Sequence, residues 1–142
     1  MSNKLTATTQ ITVHASPSKV WQALTKPELV KQYMMGADVT SDWKVGSPLV
    51  YTGNYQGKPY KEKGVIKKIE PNKLLQATHF SESSGKEDKP ENYALVTYAL
   101  HEKDDATVLE VSQDNIADEK GVEASKKNWT MVLQGLKKTV EG

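Results

Sequence analysis

The segment from Asp118 to Val140 constrains the rest of the chain more than any other. Val122, Trp129, Val132, Leu133, Leu136 and Val140 recur at helical spacing on one stripe, and Lys126, Lys127, Lys137 and Lys138 occupy the remainder. An apolar stripe about 100° wide must be buried against something of matching length. No second helical pattern of that size precedes it, so the partner has to be a sheet.

The strands for such a sheet are legible. From Lys4 to Ala15 the residues alternate: Leu5, Ala7, Ile11 and Val13 share one face, and Thr6, Thr8, Gln10, Thr12 and His14 the other. Ser16-Pro17 then reads as a helix N-cap followed by proline at the first helical position, with Val20, Trp21 and Leu24 as its apolar stripe. A second short helix opens at Pro27, carries Leu29, Val30, Tyr33 and Met34, and stops near Gly36.

Further strands are expected at Ala37–Thr40, Leu49–Tyr55, Tyr60–Glu70, Leu74–Phe80, Tyr93–His101 and Thr107–Gln113. Leu49, Tyr51, Gly53 and Tyr55 share a face. In the third of these strands Ile66 and Ile69 fall in opposite phases, which a bulge near Gly64 or Lys67 reconciles. The polar stretch 81–91, broken by Gly85 and Pro90, reads as an exposed, mobile loop. Lys103-Asp104-Asp105 joins the last two strands, whose inward residues are Val96, Tyr98, Leu100, Leu109 and Val111. The order of strand, two short helices, a run of strands and one long helix excludes a doubly wound parallel sheet. It predicts an α+β helix-grip fold: a curved antiparallel sheet of about six or seven strands with the C-terminal helix packed on it.

Composition narrows the function. The 142 residues, 1–142, suit a single domain, and a chain of this size builds a core without metal or disulfide. Cysteine is absent, which removes thiolate ligands and cysteine nucleophiles and fits a cytoplasmic location. No apolar run of about 18 residues is present, so membrane insertion is not expected. All 19 basic residues are lysines. The missing guanidinium fork weakens any case for phosphate or nucleic acid as partner.

The string from Ile11 to Leu29, ITVHASPSKVWQALTKPEL, resembles the opening of the START-like, or SRPBCC, superfamily. It is most similar to the branch named after the C-terminal domain of the activator of heat-shock protein 90 ATPase. Gly64 to Ile69 with Pro71 and Leu74, then Val96-Thr97-Tyr98 with Leu100, Thr107 with Leu109, and Trp129 with Leu133 and Leu136 continue the likeness over nearly the whole chain. The chain departs from the branch at Tyr33, where a tryptophan is usual, and at Asn128, where a glycine usually precedes the helix tryptophan. The resemblance implies the helix-grip fold. Members of the superfamily bind lipids, hormones, polyketides or chaperones, and some are enzymes, so it does not by itself select an activity.

Catalytic signals are sparse. His14 and His101 fall on exposed phases. His79 is the one histidine placed to point inward, and Glu62, between Lys61 and Lys63, reads first as an exposed carboxylate and second as a group on the cavity wall. No metal-ligand spacing, nucleophile elbow or dinucleotide fingerprint occurs, so no catalytic residue, metal or cofactor is assigned. The aromatic residues carry more information: six tyrosines and three tryptophans outnumber one phenylalanine. Tyrosines on inward phases suit a pocket with polar points on apolar walls. Tyr33, Met34, Tyr51, Tyr55, Ile66, Val96, Tyr98, Leu109, Trp129, Val132 and Leu136 are the candidate lining, and Met34 and Met131 suit a wall that adapts its shape. The expectation is a binder of a small hydrophobic or amphipathic ligand. The alternative is a protein-interaction or co-chaperone-like module with a filled core and a chaperone as partner.

Overall fold

The computed structural model describes residues 4–34, 36–55, 57–82 and 85–142, apart from the Tyr55 side chain. The chain enters through strand β1 (Leu5–Val13) and turns at once into helix α1 (Pro17–Thr25). The Ser16 hydroxyl accepts the Lys19 N–H at 3.3 Å, and Pro17 occupies the first turn, where an N–H would have no helical partner. Lys26 ends α1 and begins α2 (Pro27–Tyr33). Gly36, at φ +77°, donates its N–H to the Lys31 carbonyl at 3.0 Å and closes the turn.

Six more strands follow: β2 (Asp38–Ser41), β3 (Pro48–Tyr55), β4 (Lys58–Glu70), β5 (Leu74–Ser81), β6 (Ala94–Lys103) and β7 (Ala106–Ile116). They form one seven-stranded sheet in the order β1-β7-β6-β5-β4-β3-β2, with every neighbouring pair antiparallel. The register of β4 on β5 slips between Ile66 and Lys68, so Lys67 is the extra residue that lets Ile66 point inward and bends the strand. Asp104 and Asp105, both at positive φ, make the two-residue turn whose handedness matches the twist of β6 and β7.

Helix α3 (Glu119–Glu141) begins where the Asp118 carboxylate accepts the Gly121 N–H at 2.8 Å. It lies against β1, α2, α1 and β7. No helix among the described residues is long and apolar enough to cross a membrane. The buried stripe of α3 joins residues of all the other elements that face it in one core: Trp129, Leu133 and Leu136 pack with Val13, Ile66, Leu75, Val96, Tyr98, Leu109 and Val111. The helix-grip architecture expected from the sequence is therefore the one observed.

Expectation and structure differ at the loop after β5. Its described residues are exposed, as read from the sequence, yet they are tethered. Lys63 Nζ reaches the Asp88 carboxylate at 2.5 Å, the Tyr93 hydroxyl donates to the same carboxylate at 2.6 Å, and Asn92 donates to the Glu87 carbonyl at 2.8 Å. This holds the Tyr93 ring over Phe80, with centroids 5.0 Å apart. Phe80, on the outer face of the sheet, is consequently buried.

Candidate functional site between the sheet and the long helix

The inner face is set by strand pairing. Val39, Tyr51 and Glu62 stand opposite one another across β2, β3 and β4, and Val39 and Tyr51 belong to the core, so Glu62 shares their face. Glu62 in turn pairs with Ser81, which puts His79, two residues earlier on β5, on the same face. The two side chains meet: His79 Nε2 lies 2.9 Å from Glu62 Oε1. Lys61 and Lys63 alternate to the other face, where Lys63 is taken by Asp88 and Glu82. The two readings of Glu62 are thus combined: its charged sequence neighbours are on the far side of the sheet, and Glu62 stands on the inner face with its side chain still 38% exposed.

Ten of the eleven candidate lining residues come together, while the Tyr55 side chain lies outside the described residues. Ile66, Leu109 and Leu136 are sealed in the packed floor. Val96 sits beside them, and Tyr98 meets the edge of the Trp129 ring with centroids 5.8 Å apart. Tyr33, Met34 and Val132 are half-buried and pack against the same core. Met131 stands apart, 52% exposed on the outside of α3.

The hydroxyl groups separate the tyrosines. Tyr33 donates to the Ala23 carbonyl at 2.6 Å and so ties α2 to α1. Gly135 of α3 makes room for it, since a Cβ there would lie 3.0 Å from the Tyr33 Cβ. Trp129 Nε1 donates to Gln113 Oε1 at 2.8 Å. The hydroxyls of Tyr51 and Tyr98, in contrast, bond to no described residue. No sealed side-chain oxygen among the described residues lacks a partner, so water reaches these two. Burial pushes the Tyr51 hydroxyl well above its usual pKa, and the negative charge of Glu62 pushes it further. Burial does the same to Tyr98, with Tyr51, Tyr33 and Glu62 adding to it. Both therefore stand as neutral phenols, able to donate and to accept.

Tyr60 joins the site, and the candidate lining omitted it. It lies opposite Gly53, and a Cβ on Gly53 would come within 2.8 Å of the Tyr60 hydroxyl, so the ring lies directly on the glycine backbone. Its hydroxyl points to the Met34 carbonyl at 3.5 Å. Tyr60 also borders an open cleft of about 580 Å³, shared with Asp38, Thr52, Asn54, Pro59, Lys61 and Glu82. The signal was present in the alternation, because Tyr60, Glu62 and Ile66 are in one phase.

Relatives agree with this architecture. The chain is similar to ChR145 from Cytophaga hutchinsonii, known from a solution structure: 43% of residues are identical, 99% of this chain and 97% of that one are covered, and the TM-score is 0.86. The Aha1 dimer from Colwellia psychrerythraea is 21% identical over 96% of both chains, with a TM-score of 0.75. The fold also matches Ara h 8.0201, at 14% identity over 97% of this chain and 98% of that one, with a TM-score of 0.74. Among curated proteins none matches the sequence. The family model described as activator of Hsp90 ATPase homolog 1-like protein matches residues 14–141. The chain therefore belongs to that family, within the SRPBCC, START-like superfamily.

Proposed function

We propose that the protein binds a small hydrophobic or amphipathic ligand between the sheet and α3. The observation that carries this reading is the pair of hydroxyls on Tyr51 and Tyr98 that bond to no described residue, set among apolar side chains and reached by water. A core built only for stability satisfies such groups internally or replaces them with phenylalanine. A binding site leaves them for the ligand. Val96, Tyr98 and Trp129 supply one wall, Tyr51 and Glu62 the other, and half-buried Met34 and Val132 border them. The test is a titration of tryptophan fluorescence and amide shifts with fatty acids, sterols and flavonoids. Saturable changes at Trp129, Tyr51 and Tyr98 are expected; no saturable change with any class overturns the reading.

Membership of the activator family favours a second reading, a co-chaperone-like interaction module. It predicts amide shifts on an outer surface when heat-shock protein 90 is added, with the inner tyrosines unmoved. The same spectra separate the two readings, because they report on opposite faces of the sheet.

A further inference from the structure

The charge of the inner face says which polar group a ligand there can carry. Glu62 uses Oε1 for His79, and its Oε2 has no hydrogen bond to a described residue. Tyr51, directly across the β3–β4 pair, and Tyr98 present hydroxyls without partners among the described residues, although they are only 9% and 6% exposed. The chain holds no arginine, and the lysines on either side of Glu62 are turned to the outer face. The inner polar group is thus two neutral phenols beside one carboxylate, whose Oε1 is bonded to His79.

We infer that this interior selects uncharged ligands bearing a hydroxyl and rejects carboxylates: Glu62 Oε2 accepts the ligand hydroxyl proton, and the tyrosine hydroxyls donate to the ligand oxygen. The inference rests on the ligand-binding reading and specifies its polar chemistry. Two phenols alone would welcome a carboxylate. Cross-strand neighbours are about 5 Å apart at Cβ. A ligand carboxylate held by Tyr51 therefore lies close enough to Glu62 for the repulsion, at an effective dielectric of about 20, to cost about tenfold or more in affinity. The raised pKa of Tyr51, to which Glu62 contributes, reflects the same field acting on a phenolate.

The experiment compares β-naphthol with β-naphthoate at neutral pH, ligands with one ring system and different charge, by calorimetry and amide shifts on the full chain. β-Naphthol is expected to bind about tenfold or more tighter, with shifts at Tyr51 and Tyr98. Glu62→Gln is expected to close the gap by strengthening β-naphthoate, because the amide keeps the shape and removes the charge. Equal or tighter binding of β-naphthoate, or a gap unchanged in E62Q, overturns the inference. If E62Q does not fold, the ratio in the unaltered protein decides alone. Where fatty acids or sterols bind and the naphthol preference is missing, only this inference falls; where no apolar probe binds, the ligand-binding reading falls with it.

Discussion

The two halves of the sheet bury their inner faces differently. On the β1–β7 side, α3 lies directly on the strands over a floor of Val13, Leu109, Val111, Leu133 and Leu136, and the polar groups there, Gln113 with Trp129 and Thr9 with Thr130, pair with α3 itself. On the β3–β4–β5 side the inner face carries Tyr51, Glu62, Tyr60 and His79, each with a polar atom. The first half is held by hydrophobic packing, whose strength scales with the area removed from water. The second keeps polar groups that satisfy one another only in part. The difference teaches that one sheet keeps its sealed apolar packing and its incompletely paired polar groups on separate halves, with Tyr98 and Trp129 at the seam.

Four measurements test that division, in descending order of effect. Leu133→Ala, in the gripped half, should cost about 2–5 kcal/mol of stability in chemical denaturation; a loss under about 1 kcal/mol would show that the helix grip is not the main source of stability. Alkaline unfolding comes next. Tyr33, Tyr51 and Tyr98 have hydroxyls raised above the ordinary value of 10.0, so folding holds their protons more tightly than the unfolded chain does. The stability this contributes is complete below about pH 10 and is lost as pH rises beyond it. Absorbance of tyrosinate should therefore show these three titrating only as circular dichroism reports unfolding.

Tyr51→Phe should change stability by less than about 1 kcal/mol, since the hydroxyl removed has no partner among the described residues, while weakening any hydroxyl-bearing ligand. A large loss of stability would mean that the hydroxyl is structural and that the polar half is ordinary core. The smallest effect is expected from Asp88→Asn. It removes the carboxylate that the hydrogen bonds from Lys63 and Tyr93 hold below its usual pKa, and with it the charge that pairs with Lys63. Faster amide exchange around Tyr93 and Phe80, with the melting temperature nearly unchanged, would show that the tether acts on the outer face alone. Unchanged exchange would mean that the Phe80–Tyr93 stack holds the loop without it.

Much of the fold was legible in the residues because it depends on local chemistry. The Ser16-Pro17 start, the alternation of β1 and β6, the extra residue at Lys67 and the stripe of α3 each follow from a periodicity or a cap that neighbouring residues carry themselves. The site was legible in part: the phases of Tyr51, Tyr98 and Trp129 pointed inward, as found. Glu62 was legible only as one of two readings: its phase with Tyr60 and Ile66 pointed to the inner face, while its lysine neighbours pointed to an exposed one, and the strand pairing decided between them. The sequence pattern marks Phe80 and Tyr93 only as strand residues; their stacking depends on a loop folding back across the outer face.

By itself, then, the sequence determined the elements, their order and the grip between a long amphipathic helix and an antiparallel sheet, since those follow from spacing and burial of apolar side chains. Only the tertiary structure decided which polar groups meet. Tyr33 on α2, Tyr51 on β3, Glu62 on β4, His79 on β5 and Tyr98 on β6 are far apart in the chain and close in the fold. Their meeting depends on pairing register, which no local pattern encodes, although the phase change that bends β4 is itself visible in the sequence. The same holds for the freedom of the Tyr51 and Tyr98 hydroxyls, because whether a buried donor finds a partner is settled by everything packed around it.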